Sequence, residues 1–209
     1  WNASNPSLLK EILVVDDGSQ PPLVHTLRAA GLVDSPGSPP VKVLRHEKTI
    51  GLIGAKNTGG YAAVSDVIVF LDCHVKPRLK WDEAIVKQMS RHGDHRTVVV
   101  PQIGMLNADT WEEIPSNSFH RACFVSWDID FPWLPAEYVR NDEVPVMSGG
   151  LLAISRQWWY ETEGYDPEML GWGGENIDQS LRSWLCGGRI ELAEGSIISH
   201  MFRITDKPQ

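Results

Sequence analysis

The sequence predicts an α/β domain with a mostly parallel central sheet flanked by helices. Three observations carry that expectation. Short apolar runs bounded by turn residues recur in the first half, stretches of helical spacing separate them, and the runs are apolar at consecutive positions. Strands of that kind bury both faces, as in sheets covered by crossover helices. The first run is "EILVVDDGS", Glu11 to Ser19. Leu23, Leu27 and Ala30 follow at helical spacing, with Gly31 as a stop. A surface loop, "VDSPGSPP" from Val33 to Pro40, leads to the second run, "VKVLRH" from Val41 to His46. "DVIVFLDCH" (Asp66 to His74) and "RTVVVPQI" (Arg96 to Ile103) flank a helix that gathers Trp81, Ala84, Ile85, Gln88 and Met89. The second half changes character, with tryptophans and irregular loops from Trp111 to Trp133 and a Gly- and Trp-rich stretch from Met147 to Gly188. One helix is expected there. Ile177, Leu181, Trp184 and Leu185 share its apolar face, and Cys186-Gly187-Gly188 ends it.

Composition bounds the function. A chain of 209 residues, 42% hydrophobic and 22% charged, fits one ordinary globular domain. No run of about 18 apolar residues exists, and "WNASNPSLLK" has no basic segment leading into an apolar core, so no membrane contact is expected within this segment. Twenty-seven acidic residues against 19 basic ones give a formal net charge of −8, which argues against a nucleic-acid partner. Cys73, Cys123 and Cys186 lie far apart without C-x-x-C spacing, which excludes a cysteine-based zinc site.

Open α/β sheets bind ligands beyond the carboxyl ends of their strands, and the acidic residues cluster at such ends. "LVVDDGS" delivers Asp16 and Asp17, and "VIVFLDCH" delivers Asp72 and His74. An aspartate after a strand also caps turns and helices, so both readings stay open for Asp16 and Asp17. Asp72 and His74 stand two positions apart, which on a strand puts them on one face. His200, in "SIISHMFR", supplies a third ligand. Two histidines and a carboxylate suit Mn²⁺, Fe²⁺ or Zn²⁺, with open positions for a diphosphate. The same set describes non-haem Fe(II) oxygenases, but those triads usually sit on all-β jelly rolls, against which the strand-helix alternation speaks. A fragment that binds a ligand without turnover is a third reading.

Several stretches carry a resemblance. "VDDGS", "GLIGAKNTGG", "VIVFLDCHV", "VPVMSGGLLAIS", "GYDPEMLGWGGENIDQSLRSWLCGGRIEL" and "SHMFR" resemble the catalytic domain of the polypeptide N-acetylgalactosaminyltransferases over nearly the whole chain. The resemblance implies a GT-A fold over residues 1–209. The usual first strand, the segment that closes over the substrate and a C-terminal lectin domain would lie outside this chain. It implies Mn²⁺-dependent, retaining transfer of GalNAc from UDP-GalNAc to Ser or Thr hydroxyls of polypeptides in the Golgi lumen, by a full-length type II membrane protein. Another GT-A transferase with a different donor or acceptor is the nearest alternative. Asp72, His74 and His200 would hold the metal. Asp16 or Asp17 would face the uridine, Lys56 and Arg203 would lie near the sugar nucleotide, and Ser148, Gly149, Gly150, Glu175 and Asn176 would line the sugar pocket. Trp172 would be a mobile tryptophan over it. Trp127, Phe131 and Trp133, in "FVSWDIDFPWLP", would face the acceptor peptide. Thr49 and Gly54 depart from the family by replacing arginines, Lys76 by replacing an acidic residue, and Gly195 by replacing a cysteine that pairs in a disulfide.

Overall fold

The computed structural model describes residues 2–33, 39–116, 119–138 and 141–202. Strands β1 (Ile12–Asp17) and β2 (Val41–His46) pair in parallel around helix α1 (Leu23–Ala29), from Ile12 opposite Val41 to Asp17 opposite His46. Gly31, at φ +65°, ends α1 as expected, although the helix buries none of its residues. Helix α2 (Leu52–Ala62) follows. Next come β3 (Val67–Leu71), β4 (Val75–Pro77), α3 (Trp81–Met89), β5 (Thr97–Leu106) and β6 (Glu113–Ile114). The chain closes with β7 (Leu151–Ser155), α4 (Arg156–Glu161), α5 (Gly174–Leu185) and β8 (Arg189–His200). The larger sheet has the order β3-β7-β5-β8-β4, with β6 beside β5.

That sheet is mixed, which corrects the expectation of mostly parallel pairing. Among the described residues, β1–β2 and β5–β8 are parallel, whereas β3–β7, β5–β7, β5–β6 and β4–β8 are antiparallel. The reason lies in the connections. β7 arrives from an irregular segment rather than a helical crossover and inserts between β3 and β5, opposed to both. The apolar runs nevertheless bury both faces. Val98, Val100, Leu152, Ile154, Ile190 and Leu192 join one core with Trp158, Trp159 and Tyr165. Val99, Leu151, Ala153, Ala193 and Ile198 face the other, against Trp81, Ile85 and Met89 of α3. Each aliphatic side chain buried in this way contributes roughly 1.5–3 kcal/mol.

Helix α5 forms and ends where expected, and Trp184 packs against the first core, but the rest of its apolar stripe does not turn inward. Leu185 is 81% exposed and Leu181 49%, while Glu175, Asn176, Gln179, Ser180 and Ser183 are buried. The inward face is polar because it meets irregular backbone, whose buried amides need partners. Met147 N–H donates to Ser180 Oγ (3.1 Å), Gly149 N–H donates to Asn176 Oδ1 (2.9 Å), and Gln179 Nε2 donates to Thr162 Oγ1 (3.0 Å). Among the described residues, no helix is long and apolar enough to cross a membrane, and all three cysteines are free.

Gly60 of α2 lies against the ring of Trp159, where an added Cβ would stand 2.6 Å from Cε2. Gly60→Ala gains about 1 kcal/mol of helix propensity but overpacks the core by about 1–3 kcal/mol. The net is a loss of stability, with Tm falling by about 2–4 °C per kcal/mol. A thermal melt in which this variant equals or exceeds the parent would show that Trp159 yields freely.

Candidate active site

Asp72 and His74 are not on one strand. β3 ends at Leu71 and β4 begins at Val75, so both residues sit in the bend between them. The i, i+2 spacing does bring them close, but through the bend rather than a shared strand face. The bend is held by Asp72 N–H donating to Gly150 O (2.9 Å) and by Met201 N–H donating to His74 O (3.1 Å). Antiparallel pairing of β4 with β8 then sets Val75 opposite His200. One ligand atom from each of Asp72, His74 and His200 lies within 4.8 Å of the others. Atoms bonded to a common ion at about 2.1 Å stand at most about 4.2 Å apart, so small rotamer adjustments bring the three into one coordination sphere. His200 Nε2 is 3.3 Å from Asp72 Oδ2, and the two imidazole rings meet edge to face at 4.5 Å. Burial acts to raise the Asp72 carboxyl, but the His200 hydrogen bond and the Lys56 charge outweigh it and hold it below its ordinary range.

The sugar-pocket candidates converge beside this group. Ser148, Gly149 and Gly150 form the turn into β7, closed by Leu151 N–H donating to Ser148 O (3.1 Å). A side chain on Gly149 would collide with Asn176 Oδ1, and one on Gly150 with the Asp72 carboxylate. Both positions require glycine for close approach. Glu175 is fully buried, with Oε2 accepting from Gly173 N–H at 2.6 Å. Its Oε1 makes no hydrogen bond with the described protein atoms. Lys56 Nζ donates to Gly149 O at 2.8 Å. Burial lowers the Lys56 pKa, opposed by the charges of Asp72 and Glu175. Tyr165, wholly buried, stacks edge-on to Trp159 at 5.2 Å. Burial first, then the charges of Glu175 and Asp72, push its phenol pKa up.

Asp16 and Asp17 are both engaged in capping. Asp16, fully buried, accepts from the Ser19 and Leu23 amides and pairs with Arg45. Asp17 accepts from Ile50 and Gly51 N–H at the start of α2 and lies 2.7 Å from His46 Nδ1. The acceptor candidates separate. Trp127 is fully exposed, at a turn closed by Ser126 N–H donating to Asp130 O (2.8 Å). Phe131 lies 5.4 Å from the ring of Trp172, itself 73% exposed. Trp133 instead stacks on His120 at 4.4 Å and packs against the second core with Phe202. Arg203 lies outside the described residues.

Sequence reasoning passed over Asn57 and Tyr165. A lone asparagine within a helix, or a tyrosine after a glycine, carries no distinguishing pattern. Their pairing emerges only when residues 108 positions apart meet.

Comparison with known proteins places this geometry in a family. A family model described as glycosyl transferase family 2 matches residues 2–161, and one described as the N-terminal domain of galactosyltransferase matches residues 136–207. The probable N-acetylgalactosaminyltransferase 9 of Caenorhabditis elegans is 38% identical across 97% of this chain and 36% of its own length. Polypeptide N-acetylgalactosaminyltransferase 5 of Mus musculus is 35% identical across 99% of the chain and 23% of its own length. The chain therefore spans about a quarter to a third of these curated relatives. Among solved structures, GalNAc-T7 with UDP, GalNAc and Mn²⁺ superposes with a TM-score of 0.79 at 28% identity, over 97% of this chain and 40% of the other. S. aureus TarS with UDP-GlcNAc, at TM-score 0.65 and 12% identity over 98% and 52% of the two chains, shares the fold alone. The fold is that of the GT-A glycosyltransferases. Because the first family model spans well over half of the sequence, the chain belongs to glycosyl transferase family 2, with polypeptide N-acetylgalactosaminyltransferases among its relatives.

Proposed function

We propose that this chain carries the donor site of an enzyme that transfers GalNAc, with retention of configuration, from UDP-GalNAc to Ser or Thr hydroxyls of polypeptides. The observation that carries the reading is the convergence of Asp72, His74 and His200 beside the Gly149-Gly150 turn. The names of the relatives and the GalNAc-T7 complex support the choice of donor, and that complex supports Mn²⁺ as the ion. Asp72, His74 and His200 would hold Mn²⁺, which when bound would offset the negative charge gathering on the UDP leaving group. Gly149 and Gly150 let Asn176 and the Asp72 carboxylate come up against the turn, so that the pocket residues and a metal ligand share one wall. Glu175, anchored through Oε2, has Oε1 free to accept from a sugar hydroxyl. Asn176 fixes Gly149, and Lys56 donates to the Gly149 carbonyl within reach of the charges of Asp72 and Glu175. Ser148 shapes the same turn. Asp16 and Asp17 hold the strand ends against which the base would lie, with Arg203 assigned to the same donor. Trp172, exposed beside Phe131, would close over the pocket. Trp127, and separately Phe131 beside Trp172, offer aromatic surface suited to a Pro- and Thr-rich peptide, while Trp133 is turned to the second core and would act through its backbone neighbours. By the same reading, the reaction takes place in the Golgi lumen.

Three outcomes test this reading. In calorimetry, Asp72→Ala or His200→Ala weakens Mn²⁺-dependent UDP binding by more than about a hundredfold while far-UV circular dichroism stays unchanged. Unaltered affinity in either folded variant counts against the metal site. A panel of UDP-GalNAc, UDP-GlcNAc, UDP-galactose and GDP-mannose with Mn²⁺ gives turnover with UDP-GalNAc foremost; preference for another donor contradicts the assignment. Trp127→Ala raises the KM for a Thr-rich peptide about tenfold and that for UDP-GalNAc by less than about twofold. Equal changes in both would assign Trp127 a role other than acceptor contact.

A further inference from the structure

Helix α2 sends two consecutive side chains across to the pocket. Lys56 reaches the Gly149 carbonyl, and Asn57 reaches Tyr165. The Asn57 contact is two-pronged. Nδ2 donates to Tyr165 O at 2.8 Å, and Oδ1 accepts from Tyr165 N–H at 2.9 Å, so one carboxamide satisfies both backbone groups of one residue. It mimics a paired strand. Gly164 makes room for it, since a Cβ there would stand 3.0 Å from Asn57 Oδ1.

Tyr165 opens the stretch that delivers Trp172 and Glu175. Within residues 165–172, Met169 N–H donates to Asp166 O and Glu168 N–H to Asp166 Oδ1, both internal to the stretch. Among the described residues, the only hydrogen bonds that leave it are the two to Asn57. Its far end is tied to Glu175 itself, through Gly173 N–H. The ring of Tyr165 and Met169 are held by packing in the first core, and the two Asn57 bonds are what fix the backbone between them and Glu175. α2 is in turn held at its start by Asp17 and against the core by Gly60 on Trp159.

We infer that Asn57 is a positioning residue for the donor sugar: by clamping the Tyr165 backbone it fixes residues 165–173 and thereby the aim of Glu175 and Trp172. This rests on the donor reading above and adds to it a residue that touches neither metal nor diphosphate. The nucleotide and sugar parts of donor affinity should then separate in the variants.

The test uses this chain with Asn57→Ala and Asn57→Asp, the latter keeping the acceptor for Tyr165 N–H while losing the donor. Amide hydrogen exchange followed by mass spectrometry shows residues 165–173 exchanging about tenfold faster in Asn57→Ala, less in Asn57→Asp, with β5 and β8 unchanged, the order that one or two net hydrogen bonds carry. With Mn²⁺ present, UDP affinity stays within about twofold of the parent, while the extra affinity of UDP-GalNAc over UDP falls about tenfold. Unchanged exchange in 165–173 overturns the inference, and so does faster exchange that leaves the sugar increment intact. Equal loss of UDP and UDP-GalNAc affinity also overturns it, by making the role merely structural. If the parent itself does not distinguish UDP-GalNAc from UDP, the donor reading fails, and the exchange result alone decides whether Asn57 fixes the segment.

Discussion

The register of β8 is the constraint on which the candidate site depends. This strand of twelve residues serves two neighbours, running parallel to β5 and then antiparallel to β4 at its end. His200 stands opposite Met105 on one side and Val75 on the other. A slip of one residue would turn its imidazole to the opposite face and take it away from Asp72. The register is reset midway, where Pro101 pairs with Ala193 but Gln102 pairs with Ile197. Gly195, at φ +87°, lies in the extra length on β8, and its N–H donates to Gln102 Oε1 at 3.0 Å. Pro101, which has no amide to give the ladder, is tolerated at that irregularity. Gly195 thus has its own part in setting where His200 falls.

Hydrogen bonds as well as apolar contacts tie the candidate sugar pocket to the sheet and its helices. α5 turns asparagine, glutamine and serines inward because residues 147–149 are irregular backbone that must find partners away from water. From the opposite side, α2 offers Lys56 and Asn57 to Gly149 and Tyr165. The pocket floor is therefore suspended between two helices by hydrogen bonds. Such bonds are directional and fix the floor more narrowly than packing would, at the cost that losing one partner leaves the other buried and unsatisfied.

Much of this was legible in the sequence, though not always for the right reason. The i, i+2 spacing drew attention to Asp72 and His74, yet they meet His200 through a bend and a strand register rather than through a shared strand face. Both-face burial of the apolar runs was readable; the direction of pairing was not, since alternation says nothing about whether β7 returns by a crossover. On α5 the regular stripe of Ile177, Leu181, Trp184 and Leu185 is only partly used, since Trp184 packs on the core while Leu181 and Leu185 are exposed, and the fully buried face is written in residues that normally signal exposure. Only the hydrogen-bond demand of neighbouring backbone, a long-range property, explains the inversion. Asn57 was invisible for the same reason. For Asp16 and Asp17 the sequence admits both a capping and a ligand reading, and the structure gives both carboxylates to backbone amides and basic partners.

The central claim is that Asp72, His74 and His200 form one metal site that anchors a nucleotide diphosphate. Crystals grown with Mn²⁺ and UDP, measured for anomalous scattering at the manganese edge, test it most directly. The account predicts a single strong peak about 2.0–2.3 Å from an Asp72 oxygen and one nitrogen each of His74 and His200, with the diphosphate completing the sphere. Bound UDP with no peak at these residues, or with manganese held elsewhere, would contradict it.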